Sequence, residues 1–115
     1  CKKLLKSFFV AINYITCKDH YKERFEELFA SRKGAIDKMP GFQEMEVLKP
    51  MSNEGETVYL IMSHWESEDA FKDWTKSEAF LEGHKRGFED LKQAKMRGEE
   101  APMSSSFKTY EVISR

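Results

Sequence analysis

The chain has 115 residues, 40% hydrophobic and 13% aromatic, which suffices for one two-layer core and is too apolar for a disordered tail. Nineteen basic and twenty acidic side chains leave a formal charge of −1, with no basic block to track phosphates, so no nucleic-acid partner is expected. No segment is long enough to span a membrane, and Cys1 and Cys17 form neither a CxxC nor a disulfide framework, which fits a reducing cytoplasm.

Residues 1–7 read as an N-terminal tail and 8–115 as a single domain. The opening CKKLLKSFFVAI places charges before apolar residues, but the apolar run stops at Asn13 and no small-residue cleavage site follows. A first strand is expected over 8–16, FFVAINYIT. With period two, Phe9, Ala11, Asn13 and Ile15 share one face and Val10, Ile12 and Tyr14 the other, and both faces read as buried. Asn13 breaks the pattern, because an amide is disfavoured in mid-strand. It is either hydrogen-bonded to a neighbouring element or part of a site.

A helix is expected over 19–39, capped by Asp19 and ended by Pro40-Gly41. Its Tyr21, Phe25, Leu28, Phe29, Ile36 and Met39 fall within an arc of about 100°, so it should cover a sheet. Arg32 lies in the same arc, where it either snorkels to the edge or meets an anionic partner. A second strand over 42–49 is closed by Pro50, and the loop SNEGE leads to a third over 57–65. There Tyr59 and Ile61 face one way and Val58, Leu60 and Met62 the other. One helix layer covers one face only, so the spare face is expected to meet a second subunit in a homodimer. His20 and His64 read as ordinary surface or boundary residues.

The stretch over 63–87, SHWESEDAFKDWTKSEAFLEGHKRG, enters a helix with Ala70, Phe71 and Trp74 on one face. A second helical run begins near Ser77, with Phe80, His84, Phe88 and Leu91 within an arc of about 80°. His84 thus sits in an aromatic stripe, either as a core histidine satisfied by one carbonyl or as a ligand. Gly83 and Gly87 beside it each cost a helix about 1 kcal/mol relative to Ala, as though the site needs room for something large and flat. Residues 92–106 gather Gly, Pro and Ser and read as a mobile loop, before a fourth strand over 107–113. The order β, α, β, β, α, β predicts an α+β ferredoxin-like domain with an antiparallel four-stranded sheet.

No phosphate-cradling glycine loop, nucleophile with a positioned base or zinc-spaced His/Cys pair occurs. His84, Trp74 and Asn13 remain. At this point W-x-S-x-x-A-F-x-x-W-x-x-S-x-x-F-x-x-x-H-K, from Trp65 to Lys85, resembles the IsdG-type haem-degrading monooxygenases of the antibiotic biosynthesis monooxygenase (ABM) superfamily. So do the mid-strand Asn13, the turn Pro40-Gly41-Phe42 and the closing F-K-T-Y-E-V. The resemblance implies a catalytic set of Asn13, Trp74 and His84, and a homodimer with a shared α+β barrel. It also implies one haem per subunit, opened with O2 and external electrons from a reductase or small reductant to release iron. The segment over 86–106 is longer than the family's loop.

These roles suit the residues. A neutral imidazole at His84 ligates haem iron well, and with no second ligand placed opposite, the far side stays open for O2. Asn13 offers an amide donor on that side, and Trp74 a bulky wall against the macrocycle. Phe25, Phe29, Phe80 and Phe88 would line an apolar slot, with Arg32 or Lys85 pairing a propionate at its mouth. Two other functions use the same fold: a cofactor-free oxygenase of a small aromatic substrate, and a non-enzymatic dimeric binding module.

Overall fold

The computed structural model describes residues 8–31, 34–52 and 56–115. The expected tail over 1–7 and Arg32 lie outside the described residues. Four antiparallel strands, β1 (Phe9–Cys17), β2 (Phe42–Leu48), β3 (Thr57–Trp65) and β4 (Met103–Glu111), form one sheet in the order β2-β3-β1-β4. The helices are α1 (Lys22–Ala30), α2 (Glu68–Thr75) and α3 (Glu78–Met96). This is the expected α+β ferredoxin-like arrangement, with β1 and β3 at the centre because they carry the longest apolar runs.

All the helices pack on one sheet face. At one end Phe25 and Tyr21 meet Ile15, Cys17 and Tyr59; at the other, Ile36 and Trp74 meet Trp65. Trp65 is fully buried, and its indole N–H donates to Ser63 Oγ at 2.8 Å, so this core indole leaves no polar atom unpaired. Burial also explains Cys17, whose thiol is pushed up to about 11, chiefly by desolvation and secondarily by the Glu26 charge; it is inert at neutral pH.

Three expectations about element ends are corrected. The helix expected over 19–39 is a 3-10 turn at Asp19–Tyr21, then α1, then a second 3-10 turn at Ala35–Lys38. Gly34 at φ 72° takes the left-handed conformation between the last two, which an α-helix cannot contain, and Asp19 caps nothing with its side chain. The loop expected over 92–106 is mostly ordered structure, because α3 continues to Met96 by turning the small Ala94 inward at 2% exposure. Strand four therefore begins at Met103 and ends at Glu111. Its Ser104, Ser105 and Ser106 are strand because they pair with Thr16, Ile15 and Tyr14; partner register, not propensity, decides there.

The Pro40-Gly41 turn docks against α2. A Cβ on Gly41 (φ 84°) would stand 2.5 Å from Ala70 Cβ, so this turn tolerates only glycine. Ser67 and Ser77 start α2 and α3 by accepting from the amides of Ala70 and Phe80, each cap worth about 1 kcal/mol.

Two carboxylates tie the layers together. Asp90 of α3 accepts from Tyr21 Oη at 2.6 Å and Arg24 Nε at 2.8 Å, while Glu26 of α1 accepts from Tyr59 Oη at 2.6 Å and pairs with Lys49. Burial alone would raise Asp90, but the bonds from Arg24 and Tyr21 and the charges of Arg24 and Arg86 outweigh it, so its carboxyl sits below the usual range. The Tyr59 and Lys49 bonds hold Glu26 low as well. A carboxyl lowered in the folded state contributes stability above its unfolded pKa, about 4, and loses it as pH falls through the folded value. Asp90→Asn should therefore lower Tm at pH 7 and flatten its fall below pH 4. Thermal melts between about pH 3 and 7 check this, and a variant melting curve parallel to the parent's would contradict it.

Candidate functional site

Among the described residues no helix lies over the far sheet face. It carries Val10, Ile12 and Tyr14 of β1, Leu60, Met62 and a 37% exposed Val58 of β3, and Tyr110 at 40% exposure. Each of these alternates with a residue on the helix-covered side, as the period-two reading requires. His64 is also on this face, its Nε2 buried without a hydrogen-bond partner and 3.9 to 4.0 Å from the carboxylates of Glu46 and Glu44.

On the helix side the cover is incomplete. α2 meets β4 where Phe71 stacks on Phe107, with centroids 5.5 Å apart and planes 16° apart. α3 approaches β4 at Gly87, where an added Cβ would lie 3.5 Å from Met103 Cε. Beside these contacts Ser105, Phe107 and Thr109, which share their side of β4 with Met103, are exposed, whereas Ala11 and Ile15 on β1 are buried. The helix layer thus leaves a ledge along β4, and Phe107, half exposed, stands opposite Asn13 in register.

Asn13 is half-buried at the inner edge of this ledge, and its Oδ1 is buried without a hydrogen-bond partner. Leaving a buried carbonyl oxygen unpaired costs about 1–3 kcal/mol. No neighbouring element pays this back to the amide oxygen, so the purely structural explanation of Asn13 lacks its bond. An amide carries donors and an acceptor, and can turn either toward a bound molecule.

His84 is half-buried on the inward side of α3 with Phe80 and Leu91. Its ring stacks on Phe80 at 4.0 Å and 27° and on Phe88 at 5.6 Å and 25°. Nδ1 lies 2.7 Å from the carbonyl oxygen of Phe80, which can only accept, so Nδ1 carries the proton. In the neutral ring Nε2 then keeps its lone pair, and among the described residues it has no hydrogen-bond partner. A histidine that ligates a metal through one nitrogen typically donates the other to a carbonyl in this way. Among the described residues there is no group of three or more His, Cys, Asp and Glu able to hold a bare metal ion, so a single imidazole suits a metal that brings its own ligands.

Trp74 meets His84 at 6.2 Å, Phe80 at 5.3 Å and Trp65 at 6.4 Å between ring centroids. It is 6% exposed, so it backs the histidine more than it walls the ledge. Gly83 borders it: an added Cβ would meet Trp74 Cη2 at 3.7 Å, an ordinary contact that leaves room for alanine. The space expected at Gly83 and Gly87 is thus bordered by Trp74 and Met103 of the protein itself. Phe80 and Phe88 stand at the site, Phe88 48% exposed. Phe25, at 2%, is sealed in the core between Phe29 and Tyr59 and is corrected from slot lining to packing; Phe29 is half-buried at that core's edge. Lys85 is exposed beside His84.

Phe107 was not expected at the site, because the fourth strand was read as starting there. Carrying the alternation Met103, Ser105, Phe107, Thr109 back through the serines would have placed its ring inward. An open depression of about 440 Å3 lies along α3 and shares Phe88 and Lys85 with the surroundings of His84; Leu81, Glu78, Glu82, Glu89 and Lys92 complete its lining. Asn13, Trp74 and His84 do not border it, and its charged rim does not suit an apolar macrocycle.

The fold is that of a small α+β ferredoxin-like domain, and comparison with known proteins gives its family. The profile described as "Antibiotic biosynthesis monooxygenase" matches residues 8–86, and the chain belongs to that family. It is 36% identical over 67% of its length, and 70% of the other's, to the heme-degrading monooxygenase HmoA of Bacillus subtilis. It is 35% identical over 85% of its length, and 88% of the other's, to the staphylobilin-producing heme oxygenase of Staphylococcus haemolyticus. Among solved structures, MhuD of Mycobacterium tuberculosis, a heme-degrader with two hemes bound in its active site, superposes with TM-score 0.67 at 28% identity, covering 93% of this chain and 97% of MhuD. The fold is also that of SnoaB, a cofactor-independent oxygenase from Streptomyces nogalater, at TM-score 0.63 and 17% identity, over 96% of this chain and 97% of that one.

Proposed function

We propose that this protein is a haem-degrading monooxygenase that binds haem on the β4 ledge through His84, one per subunit. The observation that carries the reading is the His84 ring itself, with Nδ1 committed to the Phe80 carbonyl, Nε2 without a partner, and flat aromatic neighbours on both sides. The names of the two curated relatives and of MhuD support the substrate class.

When bound, haem supplies the iron at which O2 is activated with electrons from an external reductase or small reductant, and is itself opened with release of iron. The chain's own contributions are positional and electrostatic. His84 would hold the iron, and Trp74 backs its ring. Phe80, Phe88 and Phe107 would offer apolar surface and exclude water, Lys85 or Arg32 would pair a propionate, and Asn13 would offer its amide to the oxygen that reacts. The cytoplasm suits this activity, since a reducing compartment provides electrons and keeps a free thiol such as Cys17 reduced. Among the described residues no helix is long and apolar enough to cross a membrane.

Haemin titration tests the reading. The expected result is a Soret shift saturating at one haem per chain; a cofactor-free oxygenase or a plain binding module gives no saturable shift.

The working unit in this reading is a homodimer, joined through the uncovered sheet face. That face is apolar at Val58, Leu60 and Met62, with Val58 37% exposed, and a second copy would cover it. Sedimentation equilibrium at micromolar concentration should give twice the 13.5 kDa chain mass. A stable monomer would contradict it.

A further inference from the structure

The helix that carries His84 packs inward through half-buried Phe80 and Leu91 and buried Ala94. Its polar bonds add to what sets its height over the sheet. The described polar bonds between α3 and the adjoining α1 cluster at Arg86 and Asp90, two and six positions after His84 and one helical turn apart. Arg86 grips the end of α1: Nη2 donates to Leu28 O at 2.8 Å and to Ser31 O at 3.4 Å, and Nη1 to Ser31 Oγ at 3.0 Å. Carbonyls at a helix C-terminus lack intrahelical partners and carry the negative end of the dipole, so a planar cation is well matched to them. Asp90 takes the start of α1 through Tyr21 and Arg24. α1 in turn is fixed to the sheet by buried Phe25 and Leu28 and by the Tyr59–Glu26 bond.

We propose that Arg86 is a positioning residue for the haem ligand: by clamping α3 to the C-terminus of α1 it fixes the turn that presents His84 over the ledge. The proposal rests on the haem reading above for what His84 does, but the clamp is testable without haem. A flexible ammonium cannot reproduce three bonds from one planar fork, so Arg86→Lys should not restore what Arg86→Ala loses.

The test compares Arg86→Ala and Arg86→Lys with Glu26→Ala, which removes the carboxylate that accepts from Tyr59 Oη and so a bond between α1 and the sheet, away from α3. In the haem-free protein, Arg86→Ala should speed amide hydrogen exchange about tenfold or more across the turn around His84, leaving β1 and β3 protected. With haemin it should weaken binding by about 10–100-fold, as loss of an outer-shell partner does, and give a broadened Soret band. Glu26→Ala should lower Tm while leaving both readouts at parental values. If Arg86→Ala merely lowers Tm, with parental exchange in α3 and a parental Soret band, the clamp is structural only and the proposal falls. Should Arg86→Ala fail to fold, Ser31→Ala, which deletes one bond of the clamp, takes the same measurements with smaller shifts in the same direction. A parent protein that binds no haemin would overturn the haem reading, while the exchange data would still decide the clamp.

Discussion

His84→Ala should abolish saturable haemin binding while the protein remains folded. The imidazole contributes no buried hydrogen bond to another element, only one to its own helix at Phe80, so its removal leaves the sheet and the α1 contacts untouched. The stacked rings of Phe80 and Phe88 would still attract a porphyrin weakly, without fixing the iron. Losing an outer-shell partner typically weakens metal binding by about 10–100-fold, and losing the ligand itself should exceed that. Titration of the variant, with circular dichroism to confirm the fold, checks this. A parental Soret shift in His84→Ala would mean that the histidine is a core residue satisfied by its carbonyl.

Asn13→Ala should behave in the opposite manner, binding haem nearly as the parent does but turning it over about 10²–10³-fold more slowly. A preorganised donor at a developing oxygen charge is worth that much, and the His84 side of the site is unchanged. Removing the unpaired Oδ1 should also cost the fold nothing, since the amide oxygen has no partner to lose. Asn13→Asp, which when ionised accepts but cannot donate, should not restore the rate. Single-turnover loss of the Soret band in each variant is the measurement. Parental rates in Asn13→Ala would reduce Asn13 to a strand residue with an idle amide.

The sequence was legible where pattern and packing agree. β3 lies over the residues expected, and β1 is displaced by a single position, because alternating large apolar residues leave one workable register. The aromatic stripe around His84 and the apolar second sheet face were also visible. Legibility failed at the ends of elements, where a single small residue decides. Gly34 breaks a run that looked continuously amphipathic, and Ala94 prolongs one that looked finished. At the site, the Trp74 to His84 proximity follows from two helices meeting at the Ser77 cap; the family resemblance implied it, while each helix's own spacing placed only its own face. Burial depth did not follow: the same arc holds Phe25, sealed in the core, and Phe29, at its edge. Gly83 showed the same ambiguity, since an added Cβ there would only touch Trp74 at an ordinary 3.7 Å, so the glycine is not explained by lack of space. The Arg86 clamp was invisible for a related reason, because its partners are backbone carbonyls, which every residue carries.

Whether this chain opens haem with residues of its own site is decided by the haemin complex in air with ascorbate as reductant and catalase present to remove free peroxide. The expected result is a Soret band that decays over minutes, a new visible absorption from an open tetrapyrrole, and iron recovered by a chelator in a one-to-one ratio with haem lost. A Soret band that persists under these conditions, in a protein that binds one haem per chain, would contradict it and leave a haem carrier in place of an enzyme.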